Sequence, residues 1–88
     1  MSYYVYLIGG FKKFKLKTYV GYTKNLKKRL FKHNSGIGAK STRGYKWKFL
    51  YHKKYLSKQE AMSQEYFLKK KKLKRKKITT KFLSTNQL

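Results

Sequence analysis

The stretch Tyr19–Gly36 constrains the fold more than any other part of the chain. It starts with an aromatic and a β-branched residue, and this strand-like pattern ends at Gly21. Apolar residues then recur at a spacing of three to four residues. That order predicts a short strand, a turn and then a helix. Thr23 or Asn25 can cap the helix at its start.

Two candidate functional side chains lie in the predicted helix. Arg29 and His33 are four residues apart, so they should project from the same helix face. That face lies beside Tyr19 at the end of the strand. A guanidinium, an imidazole and a phenol at one place suit phosphodiester chemistry if a metal-binding carboxylate joins them, and the candidate carboxylate is Glu65.

The charge balance indicates the class of partner. The 88 residues include 25 Lys and Arg but only 2 acidic residues, a formal net charge of +23. Such an excess predicts binding to a polyanion, and we expect DNA, with RNA not excluded. No apolar run approaches the roughly 20 residues of a membrane span, and the start of the chain lacks the pattern of a signal peptide, so a cytoplasmic protein is expected. The absence of cysteine excludes disulfides and thiolate metal sites.

A hairpin is predicted at the beginning of the chain. Tyr3–Ile8 has strand composition and is followed by Gly9–Gly10, which is typical of a turn. Phe11–Leu16 would form the top of the hairpin and Lys17–Tyr22 the second, antiparallel strand. Alternation then places Val5 and Leu7 on one face, with Tyr6 and Tyr19 together on the other.

The middle of the chain predicts a loop and a third strand. Residues 34–44 are rich in glycine and polar residues, as expected of a loop whose amides and cations suit phosphate. Trp47–Tyr55 returns to a strand pattern, with Trp47, Phe49 and Tyr51 expected on one face. These three strands would complete a small sheet.

The last part of the chain predicts helices. Ser57 and Glu60 form a capping box at the start of a helix that carries Glu65. Its expected buried positions are Ala61, Met62, Phe67 and Leu68. Eight of the nine residues in 69–77 are basic, and their repulsion should fray this helix unless phosphate lies against it. A short helix is predicted over Ile78–Leu83, and the division expected is one domain over residues 1–83 with a frayed tail over 84–88.

The order of these motifs resembles one nuclease family. Tyr4-Val5-Tyr6 and Tyr19-Val20-Gly21 stand where the GIY-YIG endonucleases have their two tripeptides. The segments 29–36 and 38–44 resemble the small stand-alone bacterial type, which is related to the nuclease domain of the excinuclease C subunit. Glu65 falls where the family has its metal ligand, and the resemblance extends from Tyr3 to about Phe82.

The resemblance implies a fold and a chemistry. The fold is α+β, a three-stranded antiparallel sheet flanked by helices. The reaction is metal-dependent hydrolysis of DNA with low sequence specificity, and single-stranded or branched DNA is among the expected substrates. By position, Glu65 would hold one Mg²⁺ or Mn²⁺, and Arg29 would neutralise charge on the phosphate. Tyr6 or Tyr19 would activate water, with His33 taking the proton.

Several positions depart from the family pattern or leave alternatives open. Tyr4 replaces the first glycine, Tyr22 replaces a lysine of the excinuclease relatives, and Thr79 and Thr80 stand where many members have asparagine. One alternative is a non-catalytic basic nucleic-acid-binding protein, and another is a tyrosine that forms a covalent intermediate. The expected nucleic-acid contacts are Lys24, Lys28, Lys40, Arg43, Lys69 and Lys70.

Overall fold

The computed structural model describes residues 2–86 and has the predicted α+β architecture. Three antiparallel strands form one sheet in the order β2-β1-β3. The elements are β1 (Tyr3–Lys12), β2 (Lys15–Thr23), α1 (Leu26–Asn34), a 3-10 helix (Lys40–Thr42), β3 (Lys46–Tyr55), α2 (Lys58–Lys70) and α3 (Lys72–Asn86). Because β1 is central, its side chains are covered on both faces of the sheet.

The two faces of β1 are buried by different helices. Val5 and Leu7 belong to a core cluster that includes Ala61 and Leu68 of α2. Tyr6 lies on the other face, where the cluster includes Ile8 and Trp47 and is extended by Tyr19, Leu26 and Leu30. The predicted alternation of β1 is therefore confirmed.

The prediction of a turn at Gly9–Gly10 is wrong. Both glycines lie inside β1, and the hairpin turns at Lys13 and Phe14 instead. A Cβ on Gly10 would lie 2.8 Å from the ring of Trp47, and one on Gly9 would lie 3.0 Å from Leu50 Cδ1. These glycines are needed because neighbouring side chains cross the strand closely, as glycines within strands often allow.

The predicted common face of Trp47, Phe49 and Tyr51 is also wrong for Tyr51. The pairing of β1 with β3 shifts between Leu7 and Ile8, which face Tyr51 and Phe49, and leaves Leu50 as an extra residue. Such a bulge reverses the alternation of the residues beyond it. Phe49 therefore packs with Tyr6, whereas Tyr51 packs on the opposite face.

The caps of α1 and α2 are those of the predicted kind. The Asn25 side chain accepts a hydrogen bond from the Lys28 amide at 3.0 Å, and the Ser57 hydroxyl accepts one from the Glu60 amide at 3.1 Å. In α2, Ala61 and Leu68 are buried as predicted. Met62 and Phe67 were expected to be buried as well, but they are 46% and 50% exposed because they lie off the stripe that faces the sheet.

The lysine-rich segment forms regular helix, contrary to the expected fraying. Only Lys71 interrupts it, and α3 then starts at Lys72, well before the predicted Ile78. Arg75 stabilises the break by donating to the carbonyl oxygens of Leu68 and Lys69 at the end of α2. The segment 84–88, expected to be frayed, is helical as far as Asn86, and residues 87 and 88 lie outside the described part.

Between residues 2 and 86, no helix combines the length and the apolar character needed to cross a membrane.

Candidate active site

The phenol of Tyr6 lies across the neighbouring edge strand. Tyr6 pairs with Gly21 of β2, and a Cβ on Gly21 would lie 2.6 Å from Tyr6 Cζ. Only glycine leaves room for the ring there. Gly21 thus lets a tyrosine from the central strand reach toward the edge of the sheet, although the side chain is only 2% exposed.

A chain of hydrogen bonds fixes the imidazole of His33. The Thr42 hydroxyl donates to the Ala39 carbonyl at 2.7 Å, so its oxygen must accept from His33 Nδ1, 3.0 Å away. The proton of the neutral ring is then on Nδ1. Nε2 is left as an acceptor for the Tyr6 hydroxyl at 2.9 Å. His33 is 1% exposed, so its ring is held in place behind Tyr6.

The electrostatics agree with this assignment. Burial, and secondarily the charge of Arg29, lower the pKa of His33 below its ordinary value of 6.5, so the ring is neutral at pH 7. Burial is also the main reason that the pKa of Tyr6 is raised. Arg29 opposes that increase, while Tyr19 and Glu65 add to it. The charges of Arg29 and Glu65 thus both influence the pKa of the Tyr6 hydroxyl.

Tyr19 completes the aromatic part of this cluster. Its ring centroid lies 4.9 Å from that of His33 and 6.4 Å from that of Tyr6. Unlike Tyr6, it is partly open to solvent, and it lines a small pocket of about 240 Å³ together with Lys69 and Arg75. Tyr19 can therefore meet a ligand directly.

Glu65 is the acidic member of the candidate site. It lies on α2, its side chain is 20% exposed, and Lys69 Nζ lies 3.6 Å from its Oε2. A hard cation such as Mg²⁺ prefers oxygen ligands and often binds through one carboxylate while it keeps several waters. One partly exposed carboxylate whose ion-pair partner is an exposed lysine fits such an ion, provided that Lys69 moves aside.

The predicted nucleic-acid contacts do not all lie together. Lys24 and Lys28 line a shallow pocket with Arg29, and Lys69 lies beside Tyr19. Arg43 donates to the Gly36 carbonyl at 3.1 Å and so holds the loop after α1. The remaining two are exposed, Lys40 at the start of the 3-10 helix and Lys70 over the ring of Tyr66 at 4.6 Å.

Sequence reasoning missed the residues that hold the catalytic candidates in place. The sequence pattern places Thr42 only within a loop suited to phosphate, yet it is fully buried and orients His33. Gly38 is needed because a Cβ there would lie 2.7 Å from His33 Nδ1. Thr79 donates to the Arg75 carbonyl inside α3, which occupies its hydroxyl within the helix. The position of Thr42 between Gly38 and Gly44 in the loop was the one signal that could have marked it.

The chain is similar to several bacterial proteins. It is 49% identical to a UPF0213 protein of Streptococcus pneumoniae over 70 residues, which cover 78% of this chain and 68% of the relative. It is 51% identical to a UPF0213 protein of Pediococcus acidilactici, over 59% of this chain and 56% of the relative. It is 52% identical to a UPF0213 protein of Oceanobacillus iheyensis, over 58% of this chain and 60% of the relative. The matches thus span less than two thirds of the last two relatives.

The family comparison covers most of the chain. No solved structure matches it significantly. The family model described as the GIY-YIG catalytic domain matches residues 2–79. This range includes the candidate site residues Tyr6, Tyr19, Arg29, His33 and Glu65. The protein belongs to the GIY-YIG family, and its relatives are bacterial UPF0213 proteins.

Proposed function

We propose that this protein is a metal-dependent endonuclease that hydrolyses phosphodiester bonds in DNA with low sequence specificity. The observation that carries the proposal is the hydrogen bond from the Tyr6 hydroxyl to Nε2 of a neutral, buried His33. A simple nucleic-acid-binding surface has no need for a buried phenol paired with a base. The net charge of +23 supplies the attraction to a polyanion.

The proposed proton path starts at the attacking water. As the water oxygen forms its bond to phosphorus, its proton passes to the Tyr6 oxygen, and the Tyr6 proton passes to His33 Nε2. Thr42 keeps the other ring nitrogen protonated, so the ring accepts at one position only. Because the pKa of Tyr6 is raised, the phenol relays a proton and does not stay ionised. The leaving oxygen takes its proton from solvent.

The charged residues act on the phosphate. Arg29 would neutralise the charge that develops on the non-bridging oxygens, a role suited to a guanidinium that stays protonated. Lys24 and Lys28, which line the same pocket, would bind flanking phosphates. Tyr19 would orient the water or the phosphate from the open side of the cluster.

The family implies a divalent metal ion, and Glu65 is the residue that would hold it. Bound there, Mg²⁺ or Mn²⁺ would act as a Lewis acid on the phosphate. Lys69 would then turn from the carboxylate toward the substrate. Within residues 2–86, no three His, Cys, Asp or Glu side chains gather.

The test uses both acidic residues of the chain. Supercoiled plasmid and a labelled single strand are incubated with Mg²⁺ or Mn²⁺, using wild type, Glu65→Gln and Glu60→Gln. Both substitutions remove one negative charge from α2, but Glu60 lies at its exposed first turn. We expect cleavage by wild type and Glu60→Gln and at least a hundredfold loss in Glu65→Gln, about the effect of removing a key catalytic group.

The other outcomes separate the alternatives. Cleavage that persists in Glu65→Gln would remove Glu65 from the mechanism. Cleavage that persists in the presence of a chelator would remove the metal ion from it. Tight binding without cleavage under any metal would favour a non-catalytic binding protein. A covalent protein–DNA adduct in denaturant would point to a nucleophilic tyrosine instead of activated water.

A further inference from the structure

A second cavity lies between α2 and β3, on the sheet face opposite Tyr6. Its volume is about 320 Å³, at the low end of the roughly 300–1,000 Å³ of small-ligand pockets. Val5 and Leu68 lie at its apolar core side. Three aromatic residues and three lysines share its lining, namely Tyr51, Tyr55, Phe67, Lys53, Lys71 and Lys74. None of these residues has a role in the proposed reaction.

The aromatic residues of this cavity are only partly used by the fold. Tyr51 and Tyr55 pack against the core cluster, but Phe67 is 50% exposed at the rim. Lys53 Nζ lies 5.6 Å from the ring centroid of Tyr55, so cations and rings alternate along the wall. Rings interleaved with cations are the usual means of holding single-stranded nucleic acid, because bases stack on the rings.

The charges of the cavity favour an anion. Lys71 and Lys74 approach it from the junction of α2 and α3, and no carboxylate is among its lining residues. Lys74 also lies one turn from Lys77 along one groove of α3. These two like charges repel one another, and phosphates laid along the groove would relieve that repulsion.

We propose that this cavity binds one unpaired nucleotide of a single strand, with the base stacked on Phe67 and the adjacent phosphates at Lys71 and Lys74. Bases within a duplex are already stacked and paired, so they do not enter. The subsite would give the protein a preference for single-stranded regions. It rests on the proposed nucleic-acid substrate, but it does not require cleavage.

The test measures binding without catalysis. Fluorescence anisotropy in a chelator compares a thymidine strand of about 12 nucleotides, within the usual range of site sizes, with an abasic strand of equal length and charge. We expect the strand with bases to bind about tenfold more tightly, the effect of a single stacked base. In Phe67→Ala this difference should fall below about twofold.

Two controls make the result decisive. Phe14→Ala removes a ring that is even more exposed than Phe67, at the hairpin tip and far from the cavity along β1, and should keep the tenfold difference. Lys71→Gln should weaken both strands alike and leave their ratio unchanged. Equal binding of the two strands by wild type, or a ratio that survives in Phe67→Ala, would overturn the subsite. Failure of every strand to bind would instead overturn the proposed function.

Discussion

His33 shows how one buried hydroxyl can define a chemical role. A solvent-exposed imidazole exchanges its proton between both nitrogens, whereas Thr42 and the Ala39 carbonyl assign it to Nδ1. Nε2 is thereby reserved for the hydroxyl of Tyr6. The same arrangement leaves no buried polar side-chain atom unpaired among the described residues.

Replacing Thr42 with valine tests this assignment. Thr42→Val keeps the side-chain shape but leaves the Nδ1 proton without an acceptor, so we expect a loss of about 1–3 kcal/mol in stability. Cleavage should slow by at least tenfold at pH 7, since about 1.4 kcal/mol of lost positioning corresponds to that factor. Denaturant unfolding and single-turnover rates provide the measurements. Thr80→Val, at an exposed position of α3, should change neither, and a Thr42→Val enzyme with the wild-type rate would contradict the role.

The pH dependence follows from the same residue. Protonated His33 cannot take the Tyr6 proton, and its pKa is lowered by burial and by Arg29. The rate should therefore be constant near pH 7 and fall on the acid side, with a midpoint below the ordinary 6.5. Stability should decline in the same direction as pH drops below 6.5, because the unfolded state binds the proton more readily.

A pH–rate profile at constant ionic strength checks the predicted midpoint. It is measured from about pH 5 to about pH 9, which covers the range over which histidine titrates. His52, on exposed strand β3, serves as the control, and His52→Gln should retain the acid limb. A midpoint above 6.5 in wild type would show that His33 is not the base.

At the scale of single residues, the grouping of Tyr6, Tyr19 and His33 could be predicted from the sequence. The alternation of β1 and the helix face that carries His33 bring these three side chains together. Thr42 could not be placed in this way, since its contact with His33 depends on how the loop folds back. Sequence patterns report periodic elements far better than they report such returning loops.

The glycines show what decides the geometry at the scale of strands and helices. Gly9 and Gly10 look like a turn in the sequence, but the side chains of Leu50 and Trp47 cross them within a continuous strand. The face of Tyr51 could not be predicted either, because the bulge at Leu50 depends on pairing with a distant strand. Both errors come from tertiary contacts that override local patterns.

Gly21→Ala tests the crossing of Tyr6 over β2. The new methyl group would displace the phenol, and we expect a stability loss of about 1–3 kcal/mol. Cleavage should fall further than the stability loss explains, because Tyr6 would no longer reach His33. The matched control is Gly44→Ala, which strains a residue with φ of +84° in open space near Lys12.

Gly44→Ala should cost about 1 kcal/mol and leave the rate of the folded enzyme unchanged. Thermal unfolding and single-turnover cleavage below the transition distinguish the two variants. If Gly21→Ala cleaved as fast as Gly44→Ala, the close packing of Tyr6 on Gly21 would have no catalytic importance.

For the whole molecule, the charge of +23 governs association. Each phosphate that a lysine or arginine neutralises releases counterions, so affinity should fall steeply with salt. For a single strand we expect a log–log slope of about −0.7 for each phosphate contact. Lys28→Gln, beside Arg29, should make the slope less negative by about 0.7.

Binding isotherms over a series of salt concentrations, in a chelator, give these slopes. Lys15→Gln, at the exposed start of β2 near the hairpin turn, is the control and should leave the slope unchanged. Equal slopes for wild type and Lys28→Gln would mean that nucleic acid approaches another face.

The helical structure of the lysine-rich segment also depends on the whole molecule. Packing of Leu68 and Ile78 on the core offsets the repulsion that local charge alone predicts.

The central claim is that side chains from β1, α1 and α2 act as one nuclease site, and a double-mutant cycle tests it most directly. Single-turnover cleavage is measured for wild type, Tyr6→Phe, Glu65→Gln and the double variant. Residues that act as a unit are strongly non-additive. The double variant should therefore cleave within about threefold of the slower single variant. Losses that multiply would show that Tyr6 and Glu65 act independently, and wild-type cleavage by Tyr6→Phe would remove the phenol from the reaction.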